Sequence, residues 1–259
     1  MKLATLKNGS RDGKLVVVSR DLTRFTDASF LAPTLQAALD DWRRISPHLA
    51  TLAESLETGA VPSSRFHEND AQSPLPRAYQ HSRGVDAFTG PRDPILLGSG
   101  EMNVRVEASV ALIGGDLPMG TDAKAAAGAM LLVALAMTRP ARGQGSRAGG
   151  VASLSPVAVT PDELGKEWDT QGMALPLLVS VAGKPAVPQA RKATGFADLV
   201  AEAAKLRPLT AGAIVDAGAG ESDGSMVLNA GDTVRIEMKD SHGHSIFGAI
   251  EQTVQNPQE

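Results

Sequence analysis

Cysteine is absent from the 259 residues. That removes disulfides, thiolate metal sites and a cysteine nucleophile from consideration. Aromatic residues make up only 3% of the chain, so the core must be built from aliphatic side chains. Few rings are left to stack on unpaired bases, and a net charge of -4 weighs against wholesale binding to phosphate backbones. The longest apolar run, residues 125–137, is too short to span a bilayer and reads as a buried element. The N-terminal residues 1–14 lack an apolar signal core and read as mature chain. The expectation is a cytoplasmic protein with neither a nucleic-acid nor a membrane partner. No P-loop and no Gly-x-Gly-x-x-Gly dinucleotide fingerprint is present.

What the chain does have is aliphatic residues in patterned runs. Hydrophobic residues are 42% of the total, enough for one large or two small domains. Residues 1–60 read as a small α/β module. Leu3 to Leu6 and Lys14 to Ser19 read as strands joined by a turn at 8–13, rich in Asn, Gly and Asp. A helix is expected from Pro33 through Leu35, Leu39 and Trp42, and a second from Ser46-Pro47 to about Gly59. Residues 61–76 show no periodicity and read as a linker. Residues 77–259 form a larger, strand-rich domain. Its clearest strand is Met102 to Ile113, with Val104, Val106, Ala108, Val110 and Leu112 on one face and Arg105, Glu107 and Ser109 on the other. Thr121 is expected to cap a helix running into the 125–137 stretch, whose end reads equally as a buried strand. Thr160 with Glu163 has the spacing of a capping box. A hairpin around residues 182–185, a helix over 196–206 and a closing hairpin with its turn at 240–244 complete the reading.

Six runs resemble the bacterial fumarylacetoacetate hydrolase family, in that family's order: residues 1–22, 32–42, 73–80, 114–120, 155–165 and 231–254. The resemblance implies a mixed α+β fold, with a small N-terminal domain and a larger domain on a rolled mixed β-sheet, in a homodimer. It also implies hydrolysis of a carbon–carbon bond in 1,3-dicarbonyl acids, with magnesium or calcium gripping the dicarbonyl. Such a cation needs several carboxylates. By the resemblance the first falls on Glu107, but Ser109 stands at the second, and Met137-Thr138 replaces the Asn-Asp that follows the apolar run. The family lysine falls on Gly149 and the Gly-Thr loop on Gly218-Ala219. A segment that carries a further ligand and a histidine is missing after Gln80. Glu107 is therefore the one metal ligand that the resemblance leaves.

Arg105 stands two residues before Glu107 on the same strand face, where the family is acidic. A guanidinium there would supply positive charge and grip a carboxylate or dicarbonyl. The expectation is a metal-free pocket in which Glu107, Arg105 and Ser109 act on the substrate, without a cofactor. A solvated Arg105–Glu107 pair on an emptied cleft is the alternative. Arg142, Tyr79 and His81 are the candidate substrate-binding residues. Arg142 lies with Arg139 and Arg147 in a Gly-rich stretch, and its position is also Arg in relatives. Tyr79 and His81 sit at the shortened segment, where His81 would replace the lost base. His242 and His244 read as a plain turn. Three functions remain open: an enzyme of specialised biosynthesis acting without the family metal on a small anionic enolisable carbonyl compound, by tautomerisation, cyclisation, decarboxylation or hydrolysis; an inactive relative that binds a ligand or partner; and an ordinary magnesium-dependent hydrolase whose ligands come from Asp86, Asp93 or Glu101.

Overall fold

A computed structural model describes residues 1–140, 149–189, 195–217 and 225–256, and every structural statement refers to these. The turn-rich residues 8–13 fold the chain back as expected, pairing β1 (Lys2–Leu6) antiparallel with β2 (Lys14–Val18). β3 (Arg24–Asp27) continues this sheet. The first helix, α1 (Leu35–Asp40), starts one residue after Thr34, whose hydroxyl accepts from the Ala37 N–H at 3.1 Å. The second differs from expectation: α2 (Trp42–Glu57) begins four residues before Ser46 and holds Pro47 inside it. Proline there forfeits one helical hydrogen bond near the N-terminus. The buried stripe of Ile45, Leu49, Leu52 and Leu56 outweighs that loss.

The aperiodic residues 61–76 contain β4 (Ser64–Arg65) and a short 3-10 turn at Glu68–Asp70. Phe66, Ala71 and Leu75 within them are buried. After β5 (Val85–Thr89) and β6 (Ile95–Leu96) comes the long strand β7 (Asn103–Gly114). The apolar run then divides. Asp122, not Thr121, caps the short α3 (Ala123–Gly128), and the chain continues as β8 (Met130–Arg139). Both faces of β8 are buried, which is why its sequence is apolar without alternation.

Next come β9 (Gly150–Leu154) and β10 (Val157–Val159). The capping box expected after them does not form. The Thr160 hydroxyl and the Glu163 carboxylate both engage the Met1 amino group instead, at 2.7 and 3.1 Å. A small pair, β11 (Trp168–Asp169) and β12 (Gly172–Met173), precedes the expected hairpin of β13 (Leu177–Val181) and β14 (Val187–Gln189). α4 (Phe196–Ala203) ends three residues short of expectation. β15 (Ile214–Asp216), β16 (Ser225–Asn229), β17 (Thr233–Glu237) and β18 (Ile250–Gln255) complete the described chain.

One sheet runs in the order β15-β7-β8-β10-β1-β2-β3-β4, so the N-terminal strands hydrogen-bond directly to the later ones. β16 also pairs with β7, and β9 joins β8 to β5. A second sheet has the order β14-β13-β17-β18-β6. The mixture of antiparallel pairs with parallel β5–β9 and β6–β18 contacts is the mixed α+β architecture expected.

The period-2 reading of β7 holds. Val104, Val106, Ala108, Val110 and Leu112 enter the core between the two sheets, with Val179, Ile236 and Ile250. On the opposite face Ala111 and Ile113 lie under the helices, with Leu35, Leu49 and Leu56. Arg105, Glu107 and Ser109 extend that second face beyond the helical cover. The strand thus carries a polar end and an apolar end on one side. β8 repeats the pattern: Leu132, Ala134 and Ala136 lie under the helices, and Thr138 follows on the same face, directly opposite Glu107.

Candidate active site

The polar end of β7 is where the chain gathers its charge. The Glu107 side chain keeps 21% of its exposure and pairs closely with the Arg83 guanidinium. Arg83 Nε lies 3.7 Å from the carboxylate of Asp216, whose side chain is only 1% exposed. The Thr138 hydroxyl donates to that same carboxylate at 3.1 Å. A guanidinium thus lies between two carboxylates, one from β7 and one from the end of β15. Burial works against the Arg83 charge, but Asp216 and Glu107 together hold its pKa above the ordinary value.

Arg83 is placed by a short turn from His81 to Gly84. The Ser82 N–H donates to the Ile214 carbonyl at 3.0 Å, and the Asp216 N–H donates to the Ser82 hydroxyl at 3.0 Å. These bonds fix the turn to β15. Gly84 has φ +66, in the left-handed region that favours glycine, and lets the chain leave into β5. His81 is 4% exposed, and its Nδ1 accepts from the Arg83 N–H at 3.1 Å. Since Nδ1 accepts, the proton of the neutral ring sits on Nε2. Nε2 is buried and has no hydrogen-bond partner among the described residues. Burial pushes the imidazole pKa below its usual 6.5; Asp216 opposes that and Arg83 reinforces it. Ser109, on the Glu107 face, holds a second buried polar atom without a partner, its Oγ. His81 Nε2 and Ser109 Oγ are two of six such atoms among the described residues, and their place beside the charged cluster leaves both open to a ligand.

The expected residues come together only in part. Glu107, Ser109 and His81 are brought to one region. Arg105 is exposed and donates to the Ser225 hydroxyl at 3.2 Å, so the cation held against Glu107 is Arg83 rather than the expected Arg105. The physical reason is register: Arg105 lies two residues further toward the open end of β7, whereas Arg83 arrives on the turn tied to β15. Tyr79 is 73% exposed and lines a separate cleft of about 470 Å³ with Asp12, Gln36 and Arg77. Arg142, Arg147 and Gly218-Ala219 lie outside the described residues. Arg139 points to the reverse face of the sheet, toward Val106 and Met137. His242 and His244 sit in a turn organised by Asp240, which accepts from both their N–H groups at 2.8 and 2.9 Å.

The carboxylates considered as substitute metal ligands are engaged elsewhere. Asp93 pairs with Lys7 at 3.2 Å, and Glu101 accepts from the Gly98 N–H within its own turn. Asp86 accepts from the Gly149 N–H at 2.9 Å. A Cβ at position 149 would lie 2.4 Å from the Asp86 Cγ, so Asp86 fills the space that a side chain at this position would enter. Among the described residues no three of His, Asp or Glu are grouped to hold a metal. A hard divalent cation, which takes about six oxygen donors, does not fit the donor set as it stands, because a guanidinium occupies the place between the two carboxylates.

Sequence reading missed Arg83 and Asp216. Each carried a signal: Asp216 is the one acid in the otherwise uncharged run from 208 to 220, and Arg83 sits two residues after His81 at the shortened segment. An acid inside a buried strand needs a partner, and that requirement points to a nearby cation.

Comparison with known proteins follows the same lines. Residues 1–77 match the family described as fumarylacetoacetase N-terminal domain 2, and residues 52–255 match fumarylacetoacetate (FAA) hydrolase C-terminal. Among solved structures, maleylpyruvate hydrolase from Sphingobium sp. SYK-6, in complex with manganese(II) and pyruvate, is 18% identical, with a TM-score of 0.70 over 100% of both chains. A putative HpcE protein from Mycobacterium smegmatis is also 18% identical, with a TM-score of 0.72 over 100% of both chains. Fumarylacetoacetate hydrolase from Exiguobacterium antarcticum is 14% identical, with a TM-score of 0.67 over 99% of this chain and 100% of its own. At these identities the likeness is one of fold. No curated protein matches the sequence.

Proposed function

The chain belongs to the fumarylacetoacetate hydrolase family, and on that premise we propose that it is a divergent enzyme in which Arg83 takes the place of the metal and the substrate is a small anionic, enolisable carbonyl compound. The observation that carries this reading is the Arg83 guanidinium held between Glu107 and Asp216. In this reading Asp216 holds Arg83 in position. A 2-oxo acid enters with its carboxylate and carbonyl oxygens on the guanidinium, which suits planar, two-point recognition of such groups. The Glu107 carboxylate, released from Arg83, takes a proton from the carbon next to the carbonyl. The C–H electron pair becomes the enolate double bond, and the carbonyl pair moves onto oxygen. His81, kept neutral by burial, donates its Nε2–H to that oxygen, and the Ser109 hydroxyl gains a partner in the bound state. An enolate held on the guanidinium is the intermediate these reactions share: tautomerisation and cyclisation reach it by loss of the proton, decarboxylation and carbon–carbon cleavage by loss of CO2 or an acyl group. The homodimer implied by the resemblance and a cytoplasmic location are carried forward with this reading.

The test is turnover of acylpyruvates, followed by loss of enol absorbance, with a chelator present throughout. Wild type is expected to turn over, and Glu107→Gln to lose about 100- to 10,000-fold, the usual worth of a general base. Activity that appears only when magnesium or manganese is added back would overturn the reading. An inactive ligand-binding relative would instead bind these acids without converting them.

A further inference from the structure

The reverse face of β7 and β8 holds a cavity that the proposed reaction does not use. It measures about 190 Å³ and is walled by Ala87, Ile95, Leu96, Val106, Met137 and Val151. Because strand side chains alternate, Val106 and Met137 open into this cavity while their neighbours Glu107 and Thr138 face the charged cluster. The two sites are back to back across one sheet.

The polar groups on the floor are already satisfied. The Gln252 amide donates to the Gly90 carbonyl at 2.7 Å, and its oxygen accepts from Ser153 at 3.1 Å. Thr89 and Ser153 bond each other at 2.7 Å. Nothing on the floor therefore asks for a polar ligand. Arg139, at the rim, is different. Its guanidinium is drawn to the mouth by a 2.8 Å bond to the Leu96 carbonyl. No carboxylate lies within ion-pair distance of it among the described residues, and burial lowers its pKa with no acid to oppose the effect. The chain around Arg139 adds none: residues 123–161 contain neither Asp nor Glu, but include Lys124, Arg139, Arg142 and Arg147. A cation at the lip of an apolar slot lacks only its counter-ion.

We propose that this cavity binds a short aliphatic monocarboxylate, with the carboxylate on the Arg139 guanidinium and the hydrocarbon chain between Val106, Met137 and Val151. At about 30 Å³ for each water-sized group, the cavity takes about six, which matches a chain of about five or six carbons. One charged contact at the rim and an apolar interior select against both dicarboxylates and neutral chains. The proposal does not depend on the reaction assigned to Glu107.

Hexanoate is the probe, titrated calorimetrically into the full-length protein, with 1-hexanol as the neutral control. One molecule of hexanoate is expected per chain, with hexanol at least about tenfold weaker, as befits loss of a charge-assisted contact worth about 1.4 kcal/mol or more. Arg139→Gln should weaken hexanoate to the level of hexanol, and Val151→Phe, which fills the slot, should abolish binding of both. Arg83→Ala should leave hexanoate binding unchanged, which separates this site from the Glu107 site. Circular dichroism establishes that each variant is folded, and the two Arg139-site variants act by different means, so one misfolded protein does not decide the matter. Equal binding by Arg139→Gln, equal binding of hexanol, loss of binding in Arg83→Ala, or no binding at millimolar hexanoate would each overturn the proposal. Sedimentation of Val151→Phe supplies the remaining check. Conversion of a dimer to a monomer would mean that the slot is covered by a second copy of the chain, and the proposal would fail.

Discussion

Replacing Arg83 by alanine tests whether a guanidinium stands in for a cation. The substitution removes the guanidinium that lies against both the Glu107 and the Asp216 carboxylates. Breaking a fully buried pair costs about 3–5 kcal/mol. Arg83 retains 34% of its side-chain exposure and Glu107 21%, so solvent screening reduces the cost, to about 2–3 kcal/mol. Unfolding entropy of about 2.1 cal/mol/K per residue gives about 0.5 kcal/mol/K for a chain of this length, hence a drop in Tm of about 4–6 °C. The second half of the prediction has the opposite sign. Two facing carboxylates without their cation form an incipient site for a hard divalent ion. If that site has a Kd of about 1 mM, about 10 mM MnCl2 returns about 1.4 kcal/mol, or about 3 °C. Differential scanning calorimetry of wild type and Arg83→Ala, each with and without MnCl2, reads both effects. Manganese should raise the Tm of the variant and leave that of wild type unchanged. A comparable rise in wild type, or none in the variant, would refute the substitution of guanidinium for metal.

His81 gives a pH signature. Its folded pKa lies below the unfolded 6.5, so the unfolded chain binds more protons in between. The stability this contributes is fully present above pH 6.5 and is lost as pH falls from 6.5 toward the folded value, by at most about 1.4 kcal/mol per pH unit. His81→Phe, which keeps an aromatic ring beside Phe88, should lose that slope; denaturant unfolding of both proteins between pH 7.5 and 5.5 is the assay, and parallel curves would contradict the buried neutral imidazole. Ser109→Ala removes a buried hydroxyl that has no partner, so stability should stay level or rise by up to about 1 kcal/mol. The same change should raise the KM for an anionic carbonyl substrate, and a loss of stability of more than about 1 kcal/mol would show that the hydroxyl has a structural partner.

The strands were legible where burial is one-sided. Val104, Val106 and Ala108 alternate with Arg105, Glu107 and Ser109 because one face of this half of β7 enters the core between the sheets while the other lies beyond the helical cover. Periodicity failed on β8, since burial on both faces erases alternation and leaves an apolar run that suits helix or strand equally. It failed again at α2, where Pro47 reads as a start signal but lies in the second turn of a helix held by Ile45, Leu49, Leu52 and Leu56. At the site, strand alternation placed Glu107 and Ser109 on one face of β7, because that relation is local. The partner of Glu107 was not legible: Arg83 reaches it across 24 residues and Asp216 across more than a hundred, through contacts that only the sheet order creates. Arg105 satisfied the local pattern but lies toward the open end of the strand, with Ser225.

The most direct test of the account is proton exchange at the substrate carbon. Acetopyruvate in D2O, with chelator and catalytic amounts of protein, is followed by proton NMR at the carbon next to the 2-oxo group. Enolisation by Glu107 on a substrate held by Arg83 predicts deuterium incorporation well above the buffer rate, abolished by Glu107→Gln and by Arg83→Ala. Exchange no faster than buffer in metal-free wild type, restored by added manganese, would contradict it.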